Sequence, residues 1–74
     1  MKFKDTITGR INEHIFNLLS SKPEGLRWKE LQKKTEEQYP EFHAKTINGT
    51  IWKLTDNYPS LIEKPARGLF RLIK

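Results

Sequence analysis

Six basic side chains, Lys45, Lys53, Lys64, Arg67, Arg71 and Lys74, fall in residues 43–74 against only two acidic ones, Asp56 and Glu63. Ammonium and guanidinium groups gathered in this way are the chemistry of a polyanion-binding surface, although a solvated face is the commoner reason for any single lysine. The rest of the chain does not share the excess, because residues 1–21 carry three basic groups and two acidic, and residues 22–42 carry five of each. The net charge of +5 and the pI near 9.7 therefore belong to the last third. Composition alone puts nucleic acid among the leading partner classes.

Other chemistries find no footing in the residues. There is no cysteine, which removes disulfides, thiol nucleophiles and Cys-based zinc sites together and makes a reducing, cytosolic setting the default expectation. His14 and His43 are isolated and do not complete a zinc shell, so neither a metal nor a cofactor is expected. No phosphate loop, no carboxylate pair on a recognisable scaffold and no nucleophile beside a base occurs, and enzyme activity is not expected of this chain. No apolar run approaches the ~18 residues of a membrane span. The segment Met1-Lys2-Phe3-Lys4-Asp5 has no apolar signal region behind it.

These cations must be positioned by a single small domain, since 74 residues leave no room for a second core. With hydrophobic residues at 35% and charged ones at 31%, the aromatic side chains are expected to supply much of a thin core. Over residues 8–21, Ile11, Ile15, Leu18 and Leu19 fall at i, i+4, i+7 and i+8, the face of a first helix. Ser20-Ser21-Lys22-Pro23-Glu24-Gly25 then forces a reversal. Leu26-Arg27-Trp28 reads as a strand stub leading into a second helix, thin and mostly solvated, that turns Trp28, Leu31, Thr35 and Tyr39 inward and ends before Pro40.

Ile47, Ile51 and Leu54 repeat at i, i+4 and i+7 before Asn57-Tyr58-Pro59, which predicts a third helix. Asn48-Gly49 between β-branched residues is also a β-hairpin signal. A hairpin there would leave Leu54 off pattern, so the helix is preferred. Gly49 then costs ~1 kcal/mol relative to Ala, which suggests that something needs access to the backbone at that turn. Residues 60–64 and 69–73 alternate as strands around the reversal Pro65-Ala66-Arg67-Gly68, with Phe70 and Leu72 on one face. A polar lead over residues 1–8, flexible by composition, precedes the domain of residues 9–74.

Helix, strand stub, helix, helix, hairpin is the order of a winged helix-turn-helix, and three motifs carry the resemblance across residues 11–73. Gly25-Leu26-Arg27-Trp28-Lys29-Glu30-Leu31 looks like the start of that family's second helix. Lys45-Thr46-Ile47-Asn48-Gly49-Thr50-Ile51-Trp52-Lys53-Leu54 resembles its recognition helix, and Arg67-Gly68-Leu69-Phe70-Arg71-Leu72 is similar to the returning strand of its wing. The nearest flavour is the HARE-HTH type and the related N-terminal domains of some restriction enzymes. One departure is Arg27, where the family often has a Thr or Ser cap. Arg27 has no acceptor oxygen, and Glu30 lacks its partner for a capping box.

The resemblance implies an α+β, mainly α domain of three helices, a strand stub and a C-terminal wing. It would bind double-stranded DNA with the third helix in the major groove and the wing along the backbone or in the minor groove, as a transcription regulator or a DNA-processing module. Lys45 and Lys53 would then neutralise phosphates, Asn48 would pair with adenine for ~1–3 kcal/mol of discrimination, and Gly49 would admit close approach. Thr46 would bond a phosphate or cap its own helix locally. Lys64 and Arg67 would serve the wing, or only protect an edge strand from pairing. Arg27 and Lys29 are second-tier phosphate candidates, and Arg71 sits on a face that could look away. Trp28 is expected in the core. Trp52 would pack on Phe70 or Phe3, or stand exposed as the contact for a protein partner. That last possibility carries the competing function, a protein-docking winged helix like that of an accessory subunit of bacterial RNA polymerase. A cytoplasmic location is expected, on the nucleoid if the source is bacterial.

Overall fold

A computed structural model of the chain describes residues 5–73. The elements run α1 (Ile7–Ser20), β1 (Leu26–Arg27), α2 (Trp28–Gln38), α3 (Ala44–Trp52), α4 (Leu54–Asn57), β2 (Ile62–Ala66) and β3 (Leu69–Leu72). The three strands form one antiparallel sheet in the order β1-β3-β2. This is the mainly helical α+β architecture of a winged helix, with four helices where the sequence suggested three.

The first helix starts at Thr6, whose Oγ1 accepts the Gly9 N–H at 3.0 Å. Residues 7 and 8, read from the sequence as part of the lead, are the first turn of α1. Of the rest of that lead, Asp5 and Thr6 are described, while residues 1–4 lie outside the described residues, as does Lys74. Arg10 reaches back to Asp5 at 2.8 Å on the exposed side, and that hydrogen bond, then the carboxylate's charge, pushes the guanidinium pKa up. The opposite face of α1 buries Ile11, Ile15 and Leu19.

At the start of α2, Arg27 makes no side-chain cap, in keeping with its lack of an acceptor. The wing supplies the missing partner, since the Trp28 N–H donates to the Gly68 carbonyl at 2.7 Å. One of the helix's orphan donors is thus satisfied from a residue forty positions away in sequence, which no local pattern announces.

Ile47, Ile51 and Leu54 are all 0% exposed, so the third apolar repeat is helical and the hairpin alternative at Asn48-Gly49 is not adopted. His43 caps α3, its Nδ1 accepting the Lys45 N–H at 3.1 Å. The helix does not run unbroken to Asn57. The Lys53 N–H is shared between the carbonyls of Gly49 at 3.2 Å and Thr50 at 3.3 Å, a tightened turn from which α4 departs. This break keeps Leu54 in the core while the chain swings toward the sheet.

The hairpin also differs in strand bounds from its sequence reading. Leu61 and Ile62 both donate to the Tyr58 carbonyl, at 3.0 and 2.9 Å, so the strand begins only at Ile62. It then runs through Pro65 to Ala66, which pairs with Leu69 and leaves Arg67 and Gly68 as the tip. Proline is tolerated because β2 is an edge strand and the register shifts between Glu63 and Ala66, where no ladder donor is required of residue 65. Gly68 adopts φ +76, a left-handed conformation that strains any other residue.

The core consists of Ile11, Ile15, Leu19, Leu26, Leu31, Ile47, Ile51, Leu54, Ile62 and Phe70. Aliphatic side chains dominate it, and the expectation of an aromatic core is corrected accordingly. Phe70 is the one aromatic in that cluster, while Phe16, Trp28, Phe42 and Tyr58 pack around it half-buried. Ring pairs hold this rim, with Phe16 edge-on to Tyr58 at 5.1 Å and Tyr39 stacked on Phe42 at 4.7 Å.

Candidate nucleic-acid interface

With Ile47, Thr50 and Ile51 buried, the 3.6-residue period turns Lys45, Gly49, Trp52 and Lys53 outward. Lys45, Gly49 and Lys53 follow one another at four-residue steps and form a ridge. Together with Thr46 they line one side of a shallow depression of about 440 Å³. Its other side comes from Thr8 and Asn12 of α1 and Asn57 at the end of α4. Four of the seven predicted site residues are therefore brought together here, along with four further polar residues, Thr8, Asn12, Thr50 and Asn57. Thr8 and Asn12 lie one turn apart on α1, but only the packing of α1 against α3 gives that spacing a meaning.

Asn48 is turned another way. Its Nδ2 donates to the Gln32 Oε1 at 3.2 Å, and the Gln32 Nε2 in turn donates to the Ala44 carbonyl at 3.0 Å and to Glu36 at 2.6 Å. The side chain is half-buried in the seam between α2 and α3. Thr46 is exposed, and its carbonyl accepts the Thr50 hydroxyl at 2.8 Å.

On the wing, Lys64 and Arg67 are exposed. The wing's one carboxylate, Glu63, is held by Arg71 directly across the ladder, with Nε donating to Oε2 at 2.6 Å. Arg71 is thereby committed inside the hairpin, and it cancels the one negative charge beside Lys64. Neither Lys45, Lys53, Lys64 nor Arg67 has a carboxylate partner among the described residues.

Trp52 joins helix and wing. Its ring lies 5.6 Å from Phe70 in an edge contact and 5.9 Å from Trp28, and the Lys64 ammonium stands 5.7 Å from its centroid. Of the packing alternatives read from the sequence, the contact with Phe70 is present, while Phe3 lies outside the described residues. The ring nonetheless keeps 37% of its surface in solvent. Gly68 presses on the same cluster, for a Cβ there would come within 2.9 Å of the Trp28 Cδ1. The wing is thus seated on two indoles rather than hanging from the sheet.

Arg27 and Lys29, the second-tier candidates, line a separate depression of about 610 Å³ with Lys22 and Lys33, where Glu24 and Glu30 interleave with them. That surface is mixed in sign. Among the described residues no group of three His, Cys, Asp or Glu side chains converges as a metal site would require, and no helix is long and apolar enough to cross a membrane.

Residues 9–70 match the family model described as the repressor Rok winged helix domain. Neither a curated protein nor a solved structure matches the chain. The match carries the winged-helix part of the resemblance and not its HARE-HTH or restriction-enzyme flavour. A winged helix of repressor type is a helix-turn-helix module of DNA binding and transcription regulation, typically without catalysis of its own. The matching stretch extends from the first turn of α1 to Phe70 in the wing and takes in α3 whole, and the chain belongs to the repressor Rok winged helix domain family.

Proposed function

We propose that the chain binds double-stranded DNA with α3 against the major groove and the β2–β3 wing on the adjoining backbone, and that it does so as a transcription regulator. The observation that carries this reading is the set of four exposed cations without carboxylate partners, Lys45 and Lys53 on α3 and Lys64 and Arg67 on the wing, beside a Glu63 already neutralised by Arg71. Thr46 and Gly49 complete the contact set on the helix. Asn48 positions α3 on α2 through its bond to Gln32. Such an activity belongs in the compartment of the DNA, the cytoplasm and its nucleoid in a bacterial cell.

A second reading, docking to a protein through Trp52, draws on the exposed third of that ring. Its neighbourhood counts against it, because an ammonium already stands at the ring and the surrounding surface is cationic. The two readings separate in an amide chemical-shift titration with a random duplex of about 15 base pairs at two salt concentrations. DNA binding shifts residues 45–53 and 64–68 and weakens with salt at a log-log slope of ~3–4, as about four neutralised phosphates require. An unmoved spectrum at low salt removes the DNA reading and leaves Trp52 to a protein partner.

A further inference from the structure

We infer that one sugar-phosphate strand of the duplex passes directly over Gly49, seated between Lys45 and Lys53 in the depression that α3 shares with α1. The inference rests on the DNA-binding reading and adds to it a site, a ligand chemistry and a steric requirement.

The starting point is a glycine that the folded chain does not need. Glycine inside a helix loses more conformational freedom than alanine and weakens the helix. Gly25 and Gly68 have internal reasons, since both hold positive φ and a Cβ on either would collide, with the Phe70 carbonyl and with the Trp28 ring respectively. Gly49 has neither reason. Its φ is not positive, and a Cβ built there meets nothing within 4 Å. The space it leaves open faces solvent, so the partner that uses it must come from outside.

The surroundings define that partner's chemistry. Lys45 and Lys53 root one turn to either side of Gly49, each ~6 Å away along the helix axis. The remaining lining is hydroxyl and amide, from Thr8, Thr46, Thr50, Asn12 and Asn57, with no carboxylate among the lining residues. Asn12 is only 6% exposed, and its Nδ2 donates to the Tyr58 hydroxyl at 3.4 Å, which fixes that side chain in the wall of the depression. A bare backbone flanked by two ammonium groups and floored by neutral polar groups suits a continuous anion, the phosphodiester strand. The amide of α3 that the sequence assigned to a base edge, on Asn48, is turned away from this depression toward Gln32. The mixed-sign depression around Arg27 lacks this character, because Glu24 and Glu30 line it.

The test uses the whole chain, a labelled random duplex and fluorescence anisotropy across a salt series, with Gly49→Ala, Gly49→Leu and Lys53→Ala. Gly49→Ala is expected to melt at a higher temperature than the parent and yet to bind several-fold more weakly. Gly49→Leu is expected to lose about 5–150-fold, the range that overfilling a close contact costs. Both should keep the parent's salt slope, since the cations are intact, whereas Lys53→Ala lowers the slope by about 1. If both Gly49 variants bind as tightly as the parent while Lys53→Ala is weakened, the close approach at Gly49 is overturned and DNA binding by the face survives. If the parent binds no duplex at low salt, the DNA reading falls and this inference with it.

Discussion

The ammonium of Lys64, on the wing, stands 5.7 Å from the centroid of Trp52, the last residue of α3. A cation that would otherwise swing freely on a β-strand edge is tethered to the helix that carries Lys45 and Lys53, and the two cationic elements present one surface. Truncating Trp52 should therefore act on the wing as well as on stability. Trp52→Ala is expected to cost about 2 kcal/mol, below the range for a fully buried tryptophan because a third of the ring is already in solvent. It should also shift the amides of residues 62–72. Urea denaturation gives the first quantity and a nitrogen-proton correlation spectrum the second, and an unmoved wing would show that Trp52 does not couple the two elements.

Glu63 and Arg71 form the wing's internal pair, with side chains 38% and 39% exposed. At that exposure, breaking the pair should change stability by no more than about 1 kcal/mol. Its effect on binding should be larger. Glu63→Gln removes a negative charge and releases Arg71, so affinity for a random duplex rises and the salt slope steepens by up to ~1. Arg71→Ala leaves the carboxylate bare beside Lys64, and affinity falls. Opposite signs for the two variants in the same salt series are the decisive outcome; a fall in both would mean that the pair matters for wing geometry rather than charge.

Asn48→Ala should cost about 1 kcal/mol of stability through the lost bond to Gln32. Gln32→Ala should cost at least as much, and the double variant less than the sum of the two. The binding loss should be equal on every duplex tested. Selective loss on duplexes differing at one base pair would instead return Asn48 to base readout.

Glycine-to-alanine changes should have opposite effects at two positions. Gly68→Ala forces a side chain into φ +76 against the Trp28 ring and is expected to destabilise by ~1–3 kcal/mol. Gly49→Ala, in open helix, is expected to stabilise by ~0.5–1 kcal/mol. Thermal melts of the two variants beside the parent check the pair of signs.

The periodicities of the sequence were sufficient to specify the order of helices and strands, though not the division of the third apolar repeat into α3 and α4, because burial acts on side chains at fixed steps. Ile11, Ile15 and Leu19 mark α1, and Ile47, Ile51 and Leu54 mark the third apolar repeat strongly enough to outweigh the hairpin signal of Asn48-Gly49. The concentration of cations in residues 43–74 was equally legible, since charge is a property of composition. Local signals placed boundaries less well. Pro65 reads as a turn residue until one sees that β2 is an edge strand, and nothing before Lys53 announces the break between α3 and α4.

Tertiary structure alone decided which side chains are available. Asn48 and Lys45 are both polar residues of one helix, yet α2 packs beside Asn48 and supplies Gln32, while Lys45 faces the open depression with α1. Arg71 and Arg67 are equivalent as charges, yet the register of β2 on β3 sets Glu63 opposite one of them and leaves the other at the tip. Trp28 receives its helix-capping partner from Gly68 only because the wing folds back across the sheet. In each case the determining contact joins residues distant in the chain, and their distance in space follows from the packing of elements rather than from the period of any one of them.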